Sequence, residues 1–202
     1  GKRQGRIELL KVTAMEYGIN REEALELVHA HLSNPHMVSH SLASEAVMGA
    51  LAERLGEDVE KWRLAGLLHD IDAESHNDLD VHTRETARIL TEKGVDPEIV
   101  EAIRLHNPQA HPGEERSTRL HHGLAAGETL TGLIVAAALV NPAKKLAAVK
   151  PKSVKKRYKE KAFARGANRE IIAECEKLGL TVPEFCELGL TAMQEIAEDI
   201  GL

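Results

Sequence analysis

Trp62-Arg63-Leu64-Ala65-Gly66-Leu67-Leu68-His69-Asp70-Ile71 carries an apolar helical run directly into an imidazole and a carboxylate on neighbouring positions. Adjacent residues diverge by ~100° around a helix, so the two groups point apart within one. Near a helix end they can still meet one ion, or the carboxylate can bridge two. Neutral imidazole and carboxylate are suitable ligands for Fe, Mn, Zn, Co or Ni. The stretch reads as a helix that ends by presenting two metal ligands.

Other polar residues share apolar helix faces with it. The chain has 11 histidines, and their positions are more informative than their number. On the helix beginning near Pro35, His40 precedes Ala43 and Val47 on one stripe. His106 continues the stripe of Ile99 and Ile103. Farther on, His121, Leu124, Glu128, Thr131 and Val135 line one side of a long helix. Burying such groups costs free energy unless each finds a partner. One shared metal ion is the simplest partner for several of them.

The punctuation around these stretches is helical throughout. Asn20-Arg21-Glu22-Glu23, Asp96-Pro97-Glu98 and Thr181-Val182-Pro183-Glu184 are helix starts, with a capping oxygen followed by Glu or Pro. Gly18, Gly56, Gly94, Gly166 and Gly179 follow helical patterns and suit left-handed C-caps. Helices are expected at 5–17, 21–33, 36–55, 58–72, 81–93, 97–107, 116–140, 152–165, 169–178 and 182–200. Segments 73–80, 108–115 and 141–151 are read as irregular. No stretch alternates as a strand would. The organisation expected is an all-α metal-binding domain over 1–140, with a C-terminal helical lobe over 141–202 packed on it.

Composition narrows the function classes. The 202 residues carry 26 basic and 32 acidic side chains, a net charge of −6. Aromatics make up 2%, too few for a stacking platform on single-stranded nucleic acid. Nucleic acid is therefore not the expected partner, and a small phosphorylated substrate is. The 2 cysteines, Cys175 and Cys186, form no Cys-x-x-Cys pattern, so neither a thiolate zinc module nor a disulfide framework is expected. Gly1-Lys2-Arg3-Gln4 lacks the apolar core of a signal peptide. Leu133 to Val140, the longest apolar run, is shorter than the ~20 residues a bilayer requires. The expectation is a soluble, cytoplasmic protein without a membrane partner, its oligomeric state open.

One strongly basic run interrupts this acidic chain. Lys144, Lys145, Lys150, Lys152, Lys155, Lys156, Arg157, Lys159, Lys161 and Arg165 are broken only by Glu160. Lys152, Lys155, Lys156 and Lys159 cluster on one side of a helix by their spacing. They read either as a solvated face or as a rim that attracts phosphate. On the second reading Lys152, Lys155 and Lys156 contact substrate, as do His111 and His121. Glu74, His111 and His121 are the candidates to relay a proton.

Residues 36–140 resemble the HD-domain superfamily of metal-dependent phosphohydrolases. His40 in His40-Ser41-Leu42-Ala43 matches, as does His69-Asp70 in Leu67-Leu68-His69-Asp70-Ile71. The last ligand of that superfamily is usually Asp; Gly127-Glu128-Thr129-Leu130 has Glu there, one methylene longer. Val81-His82-Thr83-Arg84-Glu85-Thr86-Ala87 and Arg104-Leu105-His106-Asn107 are similar to the subset with two metals, in particular the HD hydrolases of symmetrical diadenosine tetraphosphate. Leu130-Thr131-Gly132-Leu133-Ile134 and Lys152-Ser153-Val154-Lys155-Lys156 look more like a further family of HD hydrolases.

The resemblance implies an HD-type helical bundle with one or two divalent transition-metal ions. It places His40, His69, Asp70 and Glu128 on one ion, and His82 and His106 on a second, with Asp70 bridging and His69 and Asp70 at the catalytic centre. The implied activity is attack of a metal-activated water on a small phosphate ester or anhydride, a nucleotide or dinucleotide. Two other readings compete. The superfamily also has a di-iron oxygenase branch, and Glu in place of Asp suits a degenerate ligand-binding or regulatory module.

Overall fold

Side-chain oxygens at Asn20, Asn34, Asp58, Asp96, Thr118, Asn168 and Thr181 each accept a backbone N–H at a helix start. Each satisfies a donor that the first helical turn would leave unpaired. The computed structural model describes residues 16–202, and the helix expected at 5–17 lies almost wholly outside them. The described helices are α1 (Arg21–His31), α2 (Pro35–Leu55), α3 (Val59–Leu68), α4 (Arg84–Glu92), α5 (Pro97–Leu105), α6 (Arg119–Val140), α7 (Pro151–Lys159), α8 (Arg169–Ile172) and α9 (Val182–Glu195). Short 3-10 turns cover Pro108–Ala110, Leu146–Ala148 and Ala173–Leu178. No strand occurs among the described residues. The fold is all-α.

The central element is α6, packed against α2, α3, α5, α7 and α9. By length and composition it is apolar enough to cross a bilayer, beyond what the Leu133–Val140 run alone suggests, but most of it is buried in the core. Two glycines let its neighbours approach. A Cβ at Gly123 would come within 2.5 Å of the Trp62 ring, and one at Gly127 within 3.1 Å of Met48 Sδ. Leu64, Leu67, Leu68, Leu124, Leu130 and Ile134 are almost fully buried around it. Each such side chain contributes ~1.5–3 kcal/mol of transfer free energy. Cys175, Phe185, Cys186 and Met193 from the C-terminal part join the same hydrophobic cluster.

Several helix ends differ from the sequence expectation, each for a tertiary reason. The helix expected over 58–72 stops at Leu68, where the chain turns around Asp72. The helix expected over 152–165 stops at Lys159. There Arg169 donates to the carbonyls of Arg157, Tyr158, Glu160, Phe163, Ala164 and Ala167, holding a compact loop in place of further helix. Gly166 caps no helix; in that loop the positive φ, 45°, belongs to Ala164. The expected helix 169–178 is a short α-turn followed by a 3-10 segment, and 182–200 is regular only to Glu195.

Candidate metal centre

Four imidazoles are locked in one tautomer by their surroundings. His69 Nδ1 donates to the Gly66 carbonyl at 2.7 Å, and His106 Nδ1 to the Ile103 carbonyl at 2.6 Å. Both bonds run back one turn and form because each histidine sits at the C-terminal end of its helix, α3 or α5. His82 Nδ1 donates to Asp72 at 2.6 Å. His40 Nδ1 lies 3.0 Å from Thr131 Oγ1, whose own proton goes to the Glu128 carbonyl at 2.6 Å. These partners assign the proton to Nδ1 in each neutral ring and leave a lone pair on Nε2.

All four Nε2 atoms converge on Asp70, whose two oxygens divide them. Oδ2 is 3.4 Å from His40 Nε2 and 3.5 Å from His69 Nε2, while Oδ1 is 3.0 Å from His82 Nε2 and 3.3 Å from His106 Nε2. Glu128 Oε2 joins the first set, 3.4 Å from His40 Nε2 and 3.9 Å from His69 Nε2. His40 and His69 face each other Nε2 to Nε2 at 3.0 Å. Two lone pairs so placed repel unless a cation lies near both. Ligand atoms ~2.1 Å from one ion at tetrahedral or octahedral angles are ~3–3.4 Å apart, which most of these spacings match. His40, His69 and Glu128, and again His69, Asp70 and His106, present ligand atoms close enough to hold a metal ion.

Protons would occupy part of this cluster in the metal-free chain. Burial opposes charge on His82, but Asp70 and Asp72 outweigh it and push the pKa up to about 10. Burial is likewise overcome at His40, where Glu128 and Asp70 raise the value. Burial prevails at His69, helped by its imidazole neighbours, and lowers it to about 4. Asp70 and Glu128 stay ionised well into acid because the surrounding imidazoles outweigh their burial.

Metal loading at pH 7 should therefore release protons, including the one on His82. Calorimetry in buffers of different ionisation enthalpy should read about one or two protons per loaded centre. Affinity should climb with pH, up to about tenfold per unit for each proton released. A heat independent of the buffer would contradict this.

The centre opens on one side. The His69 side chain is 0% exposed, whereas His40 is 25% and Glu128 20% exposed. A cavity of about 370 Å³ lies there, between His40 and Glu128 and the loop of Ala164, Gly166 and Ala167.

The structure thus brings together His40, His69, Asp70, His82, His106 and Glu128. It does not bring in the remaining candidates. His111 Nε2 is 2.8 Å from Thr83 Oγ1 and sits behind the His82 turn. His121 Nδ1 accepts from the backbone of Ser117 and Thr118, capping α6 at its far end. Glu74 accepts from Ser33 and Asn34 between α1 and α2. Lys155 pairs with Glu187 at 3.5 Å, and Lys152 and Lys156 are exposed. Lys156 lines a different cavity beside Ala137 and Val140.

Sequence reading did not assign roles to Asp72 and Thr131. Asp72 is buried; besides His82 it accepts the N–H groups of Thr83 at 2.8 Å and Thr86 at 3.1 Å. Thr83 carries φ 90°, a strained conformation for a β-branched residue, stabilised by these bonds. An acid two residues after His69-Asp70 was the available signal, but no local spacing pairs it with His82.

The family model described as HD domain matches residues 37–140, just over half of the chain. This chain belongs to the HD-domain family. Ribonuclease Y of Thermosipho melanesiensis is 31% identical over 140 residues, 67% of this chain and 27% of its own length. Ribonuclease Y of Thermotoga maritima is 29% identical over 171 residues, 82% of this chain and 32% of its own. For the Nitratidesulfovibrio vulgaris protein of that name the values are 33% over 98 residues, 48% and 18%. The HD-domain chain spans about a third or less of the length of these curated relatives. No solved structure matches it.

Proposed function

We propose that this HD-domain chain is a metal-dependent phosphohydrolase that cleaves a small phosphate ester or anhydride, a nucleotide or dinucleotide, with water. The observation that carries the reading is Asp70, each of whose oxygens faces two histidine Nε2 lone pairs. His40, His69, Glu128 and Asp70 Oδ2 would hold one divalent transition-metal ion. His82, His106 and Asp70 Oδ1 would hold a second. When bound, such ions lower the pKa of water toward ~7 and offset charge on phosphate oxygens in the transition state.

The chain's own residues prepare that chemistry. Gly66, Ile103, Thr131 and Asp72 fix the four rings, so little reorganisation remains at the moment of reaction. Buried His69 and His106 close the rear of the centre to bulk water. Substrate enters past His40 and Glu128. Thr129 Oγ1 lies 2.7 Å from the Ala125 carbonyl and 3.1 Å from Glu128 Oε1, while Oε2 faces the imidazoles. No serine or cysteine nucleophile is required.

The relatives' name favours a second substrate class, an RNA phosphodiester, against the expectation from charge and composition. Lys156 lies beside Ala137, ~13 Å and about two and a half turns along α6 from Glu128 and so on the opposite helix face, and its position favours neither substrate class. Incubation with Mn or Fe and a panel of mononucleotides, dinucleotides and a short oligoribonucleotide tests the reading. Phosphate or cleaved product should appear without oxygen uptake. Glu128→Gln should lower turnover at least ~10-fold, equivalent to ~1.4 kcal/mol, and Glu128→Asp should lose less. If no phosphorylated compound is turned over with any divalent ion, the reading fails.

A further inference from the structure

Two cavities flank the open side of the metal centre and share His40 and Gly132. The first, about 370 Å³, lies against Glu128. The second, about 380 Å³, lies across Gly132 and is lined by Ala43, Val135, Leu139 and Ile200 beside His40. Among the described residues, its lining has no acidic, lysine or arginine side chain. Ser39 and His36 add polar side chains to this lining, while the Thr131 hydroxyl is held by His40 and the Glu128 carbonyl. Volume and lining are those of a site for a small uncharged organic group with a few polar atoms.

Gly132 is the telling residue. Glycine in a helix interior is destabilising relative to alanine. Elsewhere in α6 packing accounts for it, since Gly123 meets Trp62 and Gly127 meets Met48. At Gly132 a Cβ would meet nothing within 4 Å. No neighbour demands the bare backbone; Gly132 is exposed and lines both cavities, so a larger side chain there borders both.

We propose that the second cavity receives the uncharged organic group of the substrate, of nucleobase size, while its phosphate lies in the first cavity against His40 and Glu128, and that Gly132 sets the size of group admitted. This rests on the phosphohydrolase reading and names the part of the substrate that the site selects. Aliphatic contact with Val135, Leu139 and Ile200 takes the place of aromatic stacking.

The test compares Gly132→Leu and Gly132→Ala with the parent chain, all Mn-loaded, on a nucleoside monophosphate and a short alkyl phosphate. Gly132→Leu should reduce kcat/KM for the nucleotide at least tenfold, mainly through KM. It should cost the alkyl phosphate several-fold less than the nucleotide and leave the metal content unchanged. Gly132→Ala should stay near the parent. Equal losses on both esters, or no loss on either, would overturn the proposal. Adenosine, which carries no phosphate, separates the two ideas by calorimetric titration. If no ester is cleaved, the phosphohydrolase reading falls, and adenosine decides the cavity alone. Tenfold weaker adenosine binding in Gly132→Leu supports the cavity, and unchanged or undetectable binding overturns it. Should Gly132→Leu fail to fold, Leu139→Glu on the exposed rim replaces it, with the same outcomes expected.

Discussion

Replacing Asp70 with asparagine should empty the centre of metal and abolish hydrolysis. Both oxygens of the carboxylate are in use, one toward His40 and His69, the other toward His82 and His106. Asparagine keeps the shape, but one oxygen becomes an NH₂ donor aimed at a pair of lone pairs, and the negative charge is lost. Residues that merely orient a metal ligand are worth 10–100-fold in affinity, so a shared ligand should cost ~100-fold or more. Elemental analysis of protein purified without chelators should fall from one or two ions per chain toward none. Retention of full metal content by Asp70→Asn, or by a His69→Ala, Asp70→Ala double variant, would show a hydrogen-bonded core in place of a metal centre. The variant also removes one of the two anions that raise His82, so the pKa of that ring should drop from about 10. Imidazole resonances of the metal-free protein report this directly.

Asp72→Ala should have the second largest effect, on stability and on the His82 side of the centre together. It deprives three buried donors of their acceptor: His82 Nδ1 and the N–H groups of Thr83 and Thr86. Breaking a buried charged network by removing one partner costs ~3–5 kcal/mol. For a chain of this size 3 kcal/mol corresponds to a Tm drop of ~6–12 °C. Thr83, at φ 90°, then relaxes, and His82 loses its orientation. Metal affinity at that side should fall 10–100-fold, while His40, His69 and Glu128 keep theirs. A Tm within 2 °C of the parent would refute this account. The sign of the pH dependence follows. Burial opposes ionisation of Asp72, but His82 and the two N–H groups hold its carboxyl below the usual range. Its contribution is therefore present above the unfolded value of ~3.9 and is lost as pH falls through the lower folded value.

The helix starts at Asn20, Asp96 and Thr181 follow from sequence alone, because a capping oxygen reaches an N–H two or three residues ahead. The all-α class follows as well, from glycine and proline punctuation and the scarcity of strand formers. The convergence of His40, His69, Asp70 and Glu128 was legible in part, since each ligand lies on an apolar helix face or at a helix end. Shared face was not enough for His121. It lies seven positions before Glu128, ~10 Å along the axis, and so caps α6 instead of meeting the centre.

What only the tertiary structure decided are the contacts between distant segments. Thr131 meets His40 across 91 positions and Asp72 meets His82 across 10, and no periodicity encodes such pairs. The basic run shows the same limit. Spacing places Lys152, Lys155 and Lys156 on one side of a helix, but only packing against α9 turns Lys155 toward Glu187. Arg169 ends α7 where composition would continue it, because one guanidinium gathers six carbonyls from a folded loop. Local hydrogen bonds and apolar periodicity are written along the chain. The direction in which a helix face points, and what meets it there, is set by how the helices pack around α6.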